Sequence, residues 1–228
     1  MTSFASKVIQ FNKELSFEGM LPNGIRVMNP FKENNEIISI TEIFYNKFYN
    51  DENKRKLILG INPGRLGAGA TGIPFTDTKR LSEICNIKIQ SIATHEPSSV
   101  FVYELIEEYG GAINFYNDYY INSICPLGFI EQNPKGNWVN CNYYDYDELF
   151  STMQNFIVSS LKTQIGFGID TSTCFVLGKR NAKFLNLINK KEKLFHSIVA
   201  FDHPRYIEQY KSKSKDKYIS EYLKKLTS

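Results

Sequence analysis

Short apolar runs and helical periodicities alternate along this 228-residue chain. Consecutive apolar residues predict buried strands at 57–59, 119–124, 173–177 and 197–201. Apolar residues three or four positions apart predict the helices, which are expected at 4–15 (with Ser3 as N-cap), 40–50, 78–85, 100–109, 149–161, 180–188 and in the lysine-rich C-terminus. Strands that alternate with helices imply a three-layer α/β fold, in which helices cover both faces of a four-stranded, mostly parallel sheet.

Two stretches break this alternation. Residues 22–30 are predicted to be an irregular connection, and residues 128–144 a long surface loop, because both are interrupted by proline and glycine. After the second stretch, Asp145 and Glu148 have the spacing of a capping box at the start of a helix. We find no internal repeat and no linker, so residues 1–228 are expected to form a single domain.

Composition narrows the class of protein. The hydrophobic content of 42% is sufficient for a core, and the net charge of +3 permits a polyanionic partner without requiring one. Four cysteines without a Cys-x-x-Cys pair predict reduced, buried thiols, with no metal and no cofactor. Neither a signal-peptide core nor an apolar run of about 20 residues occurs, which predicts a cytoplasmic protein with no membrane partner. We also expect the protein to be a monomer.

The segment after the first predicted strand is rich in glycine. Gly64, Gly67, Gly69 and Gly72 all lie between residues 60 and 75. Glycine lets the backbone approach a ligand closely, and α/β sheets bind ligands outside the carboxyl ends of their strands. The loop is therefore predicted to form the floor and one wall of a pocket.

Polar side chains occur at the carboxyl ends of three predicted strands: Asn62, Asn122 and His203. An asparagine amide places a donor beside an acceptor, which suits the edge of a nucleobase. A histidine can donate a hydrogen bond to charge that develops on a leaving group, and Phe75 offers a flat surface for stacking. Together, these residues predict a pocket for a planar polar ring.

Each of these residues could instead have a purely structural role. Asn62 could initiate a turn before Pro63, and Asn122 could satisfy backbone groups at a strand end. His203 could be structural, and Phe75 could belong to the core. The shared position of the polar residues at strand ends favours a common pocket.

Three sequence motifs carry a family resemblance. Gly-Ile-Asn-Pro-Gly at 60–64, followed by Thr-Gly-Ile-Pro-Phe at 71–75, is similar to motif 1 of the uracil-DNA glycosylase superfamily. It most resembles the single-strand-selective monofunctional branch and its bacterial relatives. The segment 121–127 resembles the uracil-reading segment of that branch, and His203-Pro204 followed by arginine resembles motif 2.

The resemblance implies a monofunctional glycosylase that removes uracil from single- or double-stranded DNA in base excision repair, leaving an abasic site. Uracils substituted at C5 and other deaminated bases fall within the implied range. Phe75 would stack on the extruded base and Asn122 would read its edge. His203 would stabilise the departing anion while Asn62 holds the attacking water. The other base-binding residues implied by motif 1 are Gly60, Ile61 and Gly64.

DNA contacts are expected from the loops at the same sheet edge. Arg205 and Tyr206 are the candidate wedge, while Arg65, Lys179 and Arg180 could meet phosphates. Motif 2 is shorter than the His-Pro-Ser-Pro-Arg of better-known members, so the wedge and the strand preference stay open. The C-terminal lysines could contact DNA or form a solvated helix face.

The role of Asp77 and the activity of the chain each allow more than one interpretation. Thr76-Asp77 replaces the Gly-Glu of better-known members, and Asp77 could touch solvent, DNA or substrate. The chain could be a nucleotide-binding module that uses Gly60–Gly72 as a phosphate loop, although no Gly-Lys-Ser/Thr follows. It could also be a catalytically silent member that binds damaged or single-stranded DNA.

Overall fold

The computed structural model describes residues 2–227, so the two ends of the predicted 1–228 domain lie outside the described residues. The strands are β1 (Ile25–Met28), β2 (Arg55–Gly60), β3 (Tyr119–Ser123), β4 (Gly128–Gln132), β5 (Trp138–Cys141), β6 (Ile169–Leu177) and β7 (Ser197–Phe201). The helices are α1 (Phe4–Glu14), α2 (Pro30–Glu33), α3 (Asn35–Phe48), α4 (Ala68–Thr71), α5 (Thr78–Glu83), α6 (Pro97–Glu108), α7 (Ala112–Asp118), α8 (Asp147–Ile165), α9 (Lys179–Glu192), α10 (Pro204–Tyr210) and α11 (Lys215–Leu226).

The centre of the fold is a parallel sheet with the strand order β3-β2-β6-β7. Its strands are apolar runs because helices cover both faces. On one face, Ile58 and Ile121 lie beside residues of α6, α7 and α11. On the other, Tyr120 packs against Phe4 of α1 and Tyr45 of α3. The predicted three-layer architecture with four parallel strands is confirmed.

A second sheet occupies the stretches predicted to be irregular. Strands β1, β4 and β5 form an antiparallel sheet, so the prediction of a long surface loop at 128–144 is wrong. β4 and β5 form a hairpin, in which Phe129 pairs with Cys141 and both are fully buried. The proline and glycine that suggested a loop lie in the hairpin turn, where Gly136 has a φ of +78°.

Helix caps differ in how well they follow from the sequence. Ser3 caps α1 as predicted, because its hydroxyl accepts a hydrogen bond from the backbone N–H of Ser6. The predicted capping box of Asp145 and Glu148 is wrong, since α8 is preceded by Tyr146 at the N-cap. The Asp145 carboxylate instead accepts from the backbone N–H of Asn142, 2.8 Å away, and so closes the turn after β5.

The four cysteines are free and buried, as the sequence predicted. Across residues 2–227, no group of three or more histidine, cysteine, aspartate or glutamate side chains is arranged to hold a metal ion. None of the helices in the described part of the chain has the length and apolar character needed to cross a membrane.

Candidate active site

A cavity of about 270 Å³ lies at the carboxyl edge of the parallel sheet. The strands β2, β3 and β7 all end at this edge because they run in the same direction. The segment after β5 closes one side. The residues that line the cavity include Ile61, Asn62, Pro63, Gly64, Phe75, Glu96, Ser123, Asn140, Asn142, His203 and Arg205. Six of the predicted site residues therefore share one cavity: Ile61, Asn62, Gly64, Phe75, His203 and Arg205.

Backbone groups, including the carbonyl of Pro63 at 3.4 Å, hold the Asn62 amide in a defined orientation. Its Oδ1 accepts a hydrogen bond from the N–H of Tyr143 at 3.0 Å, and its Nδ2 donates to the carbonyl of Cys141 at 3.2 Å. Tyr143 and Cys141 lie at or just beyond the end of β5. An amide oxygen has two acceptor sites, so Oδ1 keeps one for a further hydrogen bond.

His203 is the N-cap of α10, and Pro204 occupies the first position of that helix. The His203 Nδ1 accepts a hydrogen bond from the backbone N–H of Arg205 at 3.1 Å, so the neutral ring carries its proton on Nε2. Burial, with a smaller contribution from the Arg205 charge, lowers the pKa of His203 to about 4. The residue is therefore an uncharged hydrogen-bond donor at neutral pH.

Phe75 lies against the end of β2 in an uncommon backbone conformation. Its φ is +54°, and its ring centroid is 6.1 Å from that of His203. A Cβ placed on Gly60 would lie 2.7 Å from the Phe75 ring. Position 60 therefore requires glycine to let the aromatic ring approach the strand.

Asn122 is placed differently from the other predicted residues. It does not line the 270 Å³ cavity, but an adjoining space of about 10 Å³ that shares Pro63, Ala68 and Pro74 with it. Its Nδ2 donates to the Tyr120 hydroxyl at 2.7 Å, and its Oδ1 accepts from the N–H of Ser123 at 2.8 Å. Asn122 therefore lies beside the main cavity and is not part of its lining.

Sequence reasoning missed several residues of the cavity, above all Glu96 and Asn140. Burial, with a smaller contribution from the nearby charge of Asp77, raises the pKa of Glu96 to about 7, although the Ser99 hydroxyl and the Arg205 charge act in the opposite direction. The Asn140 Oδ1 accepts from the backbone N–H of Arg65 at 3.1 Å and so ties the hairpin to the glycine loop. The glutamate before Pro97 marks a helix start in the sequence, but nothing local connects it to a pocket.

Asp77 is fully buried and has a structural role in the fold. It caps α5 by accepting from the backbone N–H of Arg80 at 2.9 Å, and its other oxygen is 3.1 Å from the Arg80 guanidinium. The same oxygen accepts from the N–H of Glu96 at 2.8 Å. Asp77 therefore joins the start of α5 to the start of α6, away from solvent.

The predicted DNA-binding residues fall into two groups. Arg65, Arg205 and Tyr206 are exposed, and the two arginines form no ion pair with any residue from 2 to 227. Arg205 and Tyr206 lie in the first turn of α10 and not in a loop. Lys179 is paired with Asp202 at 2.8 Å, and Arg180 lies 4.8 Å from the centre of the Tyr144 ring.

Comparison with known proteins assigns the class. The family described as "Uracil DNA glycosylase superfamily" matches residues 46–227, so the chain belongs to this superfamily of DNA glycosylases, hydrolases that act on DNA. The structure is similar to the crystal structure of wild-type SMUG2 from Pedobacter heparinus, with 52% sequence identity and a TM-score of 0.97. That alignment covers 100% of this chain and 98% of the SMUG2 chain. A comparison with curated proteins found no match.

Proposed function

We propose that the protein is a monofunctional uracil-DNA glycosylase. It hydrolyses the N-glycosidic bond of deoxyuridine in DNA, releases uracil and leaves an abasic site for base excision repair. The observation that carries this proposal is the convergence of Asn62, Phe75 and His203 on one cavity at the carboxyl edge of the sheet. The single chain is the proposed active unit.

The base must leave the helix before its glycosidic bond is accessible. Phe75 is proposed to stack on the extruded ring, with Gly60, Ile61 and Gly64 forming the surrounding backbone. The positive φ of Phe75 and the absence of a side chain at Gly60 support this role, because together they place the ring at the cavity.

Asn122 is proposed to read the edge of the base from the space that adjoins the main cavity. Tyr120 and Ser123 each occupy one side of its amide, which leaves one N–H and one acceptor site free. A fixed amide presents its donor and acceptor in one order only. Uracil offers an acceptor at O4 beside a donor at N3, whereas cytosine offers the reverse, so a fixed Asn122 amide can match only one of them.

Cleavage leaves positive charge on the sugar and negative charge on the departing base. The neutral His203 ring is proposed to donate its Nε2–H to the base carbonyl oxygen as this charge develops. Asn62 is proposed to hold the attacking water with its free acceptor site. One well-placed donor of this kind contributes about 3–4 kcal/mol to the transition state.

The experiment compares Asn62→Ala and His203→Ala proteins with the parent on oligonucleotides that contain one uracil. Single-turnover rates are followed by alkali cleavage of the abasic product. Because His203→Ala removes a hydrogen-bond donor to the transition state, we expect this variant to be about 10²–10³-fold slower than the parent. Asn62→Ala should be slowed by a similar factor. Asn137→Ala and His196→Ala are matched controls because both side chains are exposed outside the cavity.

Parental rates in both site variants would refute the proposed roles. Tight binding of DNA with no abasic product from any substrate would identify a catalytically silent DNA-binding protein. The same assay, run on single and double strands that carry 5-hydroxymethyluracil, hypoxanthine or xanthine, measures the base range and strand preference.

A further inference from the structure

Among the described residues that line the cavity, Glu96 has the only acidic side chain. It lies against the glycine loop that also carries Asn62. A Cβ on Gly67 would lie 2.1 Å from the Glu96 Oε2, and one on Gly64 would lie 3.8 Å from Oε1. The carboxyl group is therefore packed directly against this loop. It occupies space that is open because glycine has no side chain.

The two carboxyl oxygens of Glu96 differ in their contacts. Oε2 accepts a hydrogen bond from the Ser99 hydroxyl at 3.2 Å, while Oε1 accepts none from residues 2–227. The backbone of Glu96 is anchored by its N–H, which donates to the buried Asp77. An anchored carboxyl group with one free oxygen in the cavity is suited to accept a hydrogen bond from a water molecule.

The proposed hydrolysis needs a group that Asn62 does not provide. An amide is not a base at neutral pH, so Asn62 can position a water but cannot accept its proton. The sugar also becomes positively charged as its bond to the base breaks. A carboxylate in the same cavity meets both requirements, because it accepts protons and attracts a cation.

We propose that Glu96 is a catalytic residue, whose carboxylate accepts the proton of the water held by Asn62 and offsets the charge on the sugar. This inference rests on the proposed glycosylase function. The water oxygen bonds to C1′ of the deoxyribose while the bond from C1′ to N1 of uracil breaks. The electron pair of that bond leaves with uracil, and the water proton passes to Glu96. Solvent then protonates the uracil anion and takes the proton from Glu96.

Burial, together with the charges around Glu96, determines the pH at which its carboxyl group ionises. Asp77 faces it from the start of α5, and Arg205 faces it from α10. Arg80 and His95 lie around Asp77, and His203 in the cavity is neutral. Burial and Asp77 raise the pKa of Glu96 to about 7, so the reactive carboxylate forms as the pH rises through neutrality. The rate should rise over the same range.

The test compares Glu96→Gln with Glu107→Gln, an exposed glutamate in α6, the helix that begins directly after Glu96. Single-turnover uracil release is measured from about pH 5 to 9. Glutamine keeps a group that can bond Ser99 but cannot take a proton. We expect Glu96→Gln to be about 10²-fold slower at high pH and to lack the rise near neutrality. Glu107→Gln should follow the parent.

A second measurement needs no turnover. Parent and variants bind oligonucleotides in which the target nucleotide is replaced by a cationic pyrrolidine or by neutral tetrahydrofuran. The parent should prefer the cationic analogue about tenfold, and Glu96→Gln should bind both equally. A purely structural role for Glu96 would leave this preference unchanged.

The outcomes separate the two proposals. If the parent releases uracil and Glu96→Gln matches its rate and pH profile, the role of Glu96 is refuted and the glycosylase function stands. The role is also refuted, without any variant, if the rate of uracil release by the parent does not fall as the pH drops below neutrality. If the parent releases no base, the proposed function and the role of Glu96 fall together.

Discussion

Two titratable side chains in one cavity are shifted in opposite directions by the same cause. Burial disfavours the charged form of any group, so it lowers the pKa of His203 to about 4 and raises that of Glu96 to about 7. Near neutral pH, the cavity therefore holds an uncharged imidazole and a carboxyl group close to its midpoint. Such a pair suits a reaction that needs a neutral donor at the base and a proton acceptor near the sugar.

The shift of Glu96 also predicts a pH dependence of stability. Its pKa is higher in the folded state, about 7, than the ordinary 4.5, so the folded protein holds this proton more tightly. The stabilisation is complete below about pH 4.5 and is lost as the pH rises through 7. Relative to Glu96→Gln, the parent should lose free energy of unfolding over this range.

Urea denaturation of both proteins at several pH values measures this difference. His203 titrates in the parent and in the variant, so its own contribution, which falls as the pH drops from 6.5 towards 4, cancels to first order. A difference that does not depend on pH would show that Glu96 has the same pKa in the folded and unfolded chain.

Gly72 shows how the elements around the loop constrain one another. It ends α4 with a φ of +71°, and a Cβ there would lie 2.7–2.8 Å from Phe31 of α2 and from Ile37 and Thr41 of α3. The glycine therefore meets two requirements at once, one of the backbone and one of the packing between elements. The loop that forms the cavity floor is held against α2 and α3 at this point.

Gly72→Ala should therefore destabilise the fold more than Gly136→Ala. Gly136 has a similar φ of +78°, but a Cβ there meets nothing within 4 Å, so its substitution reports backbone strain alone, about 1–2 kcal/mol. Gly72→Ala should add an overpacking cost of about 1–3 kcal/mol. Unfolding by urea measures both. Equal losses would show that α2 and α3 move aside without cost.

At the scale of the whole molecule, the C-terminal helix supports the strand that leads to His203. Tyr222 of α11 stacks on Phe201 at the end of β7, with ring centroids 4.0 Å apart, and donates a hydrogen bond to the Asp202 carbonyl. Lys215 in the same helix pairs with Glu104 and Glu208. The apolar side and one lysine of α11 are thus used within the fold.

The distribution of charge predicts how DNA binding responds to salt. If Arg205 meets a phosphate, Arg205→Ala should reduce the slope of log affinity against log salt by about 0.7 on single strands. Lys191→Ala is the control, because α9 ends at the opposite edge of the sheet. Binding of a fluorescent oligonucleotide at several salt concentrations measures the slopes. An unchanged slope for Arg205→Ala would contradict a phosphate contact.

The sequence by itself determined the central sheet and part of the site. A buried parallel strand shows as an apolar run, and the residue after its end must lie at the carboxyl edge. Hence Asn62 and His203 could be assigned to one edge, and glycines 60–72 to its loop, from local pattern alone. The motif resemblance added the family, which the match to residues 46–227 confirms.

Only the tertiary structure decided the rest, because the remaining features depend on contacts between distant segments. Met28 pairs with Gly128 to build the second sheet, and no local pattern records such a pairing. The backbone N–H of Glu96 is held by the distant Asp77 carboxylate, and the Asn122 amide donates a hydrogen bond to the Tyr120 hydroxyl. Burial sets the pKa of Glu96 and of His203, and burial exists only once the chain has folded.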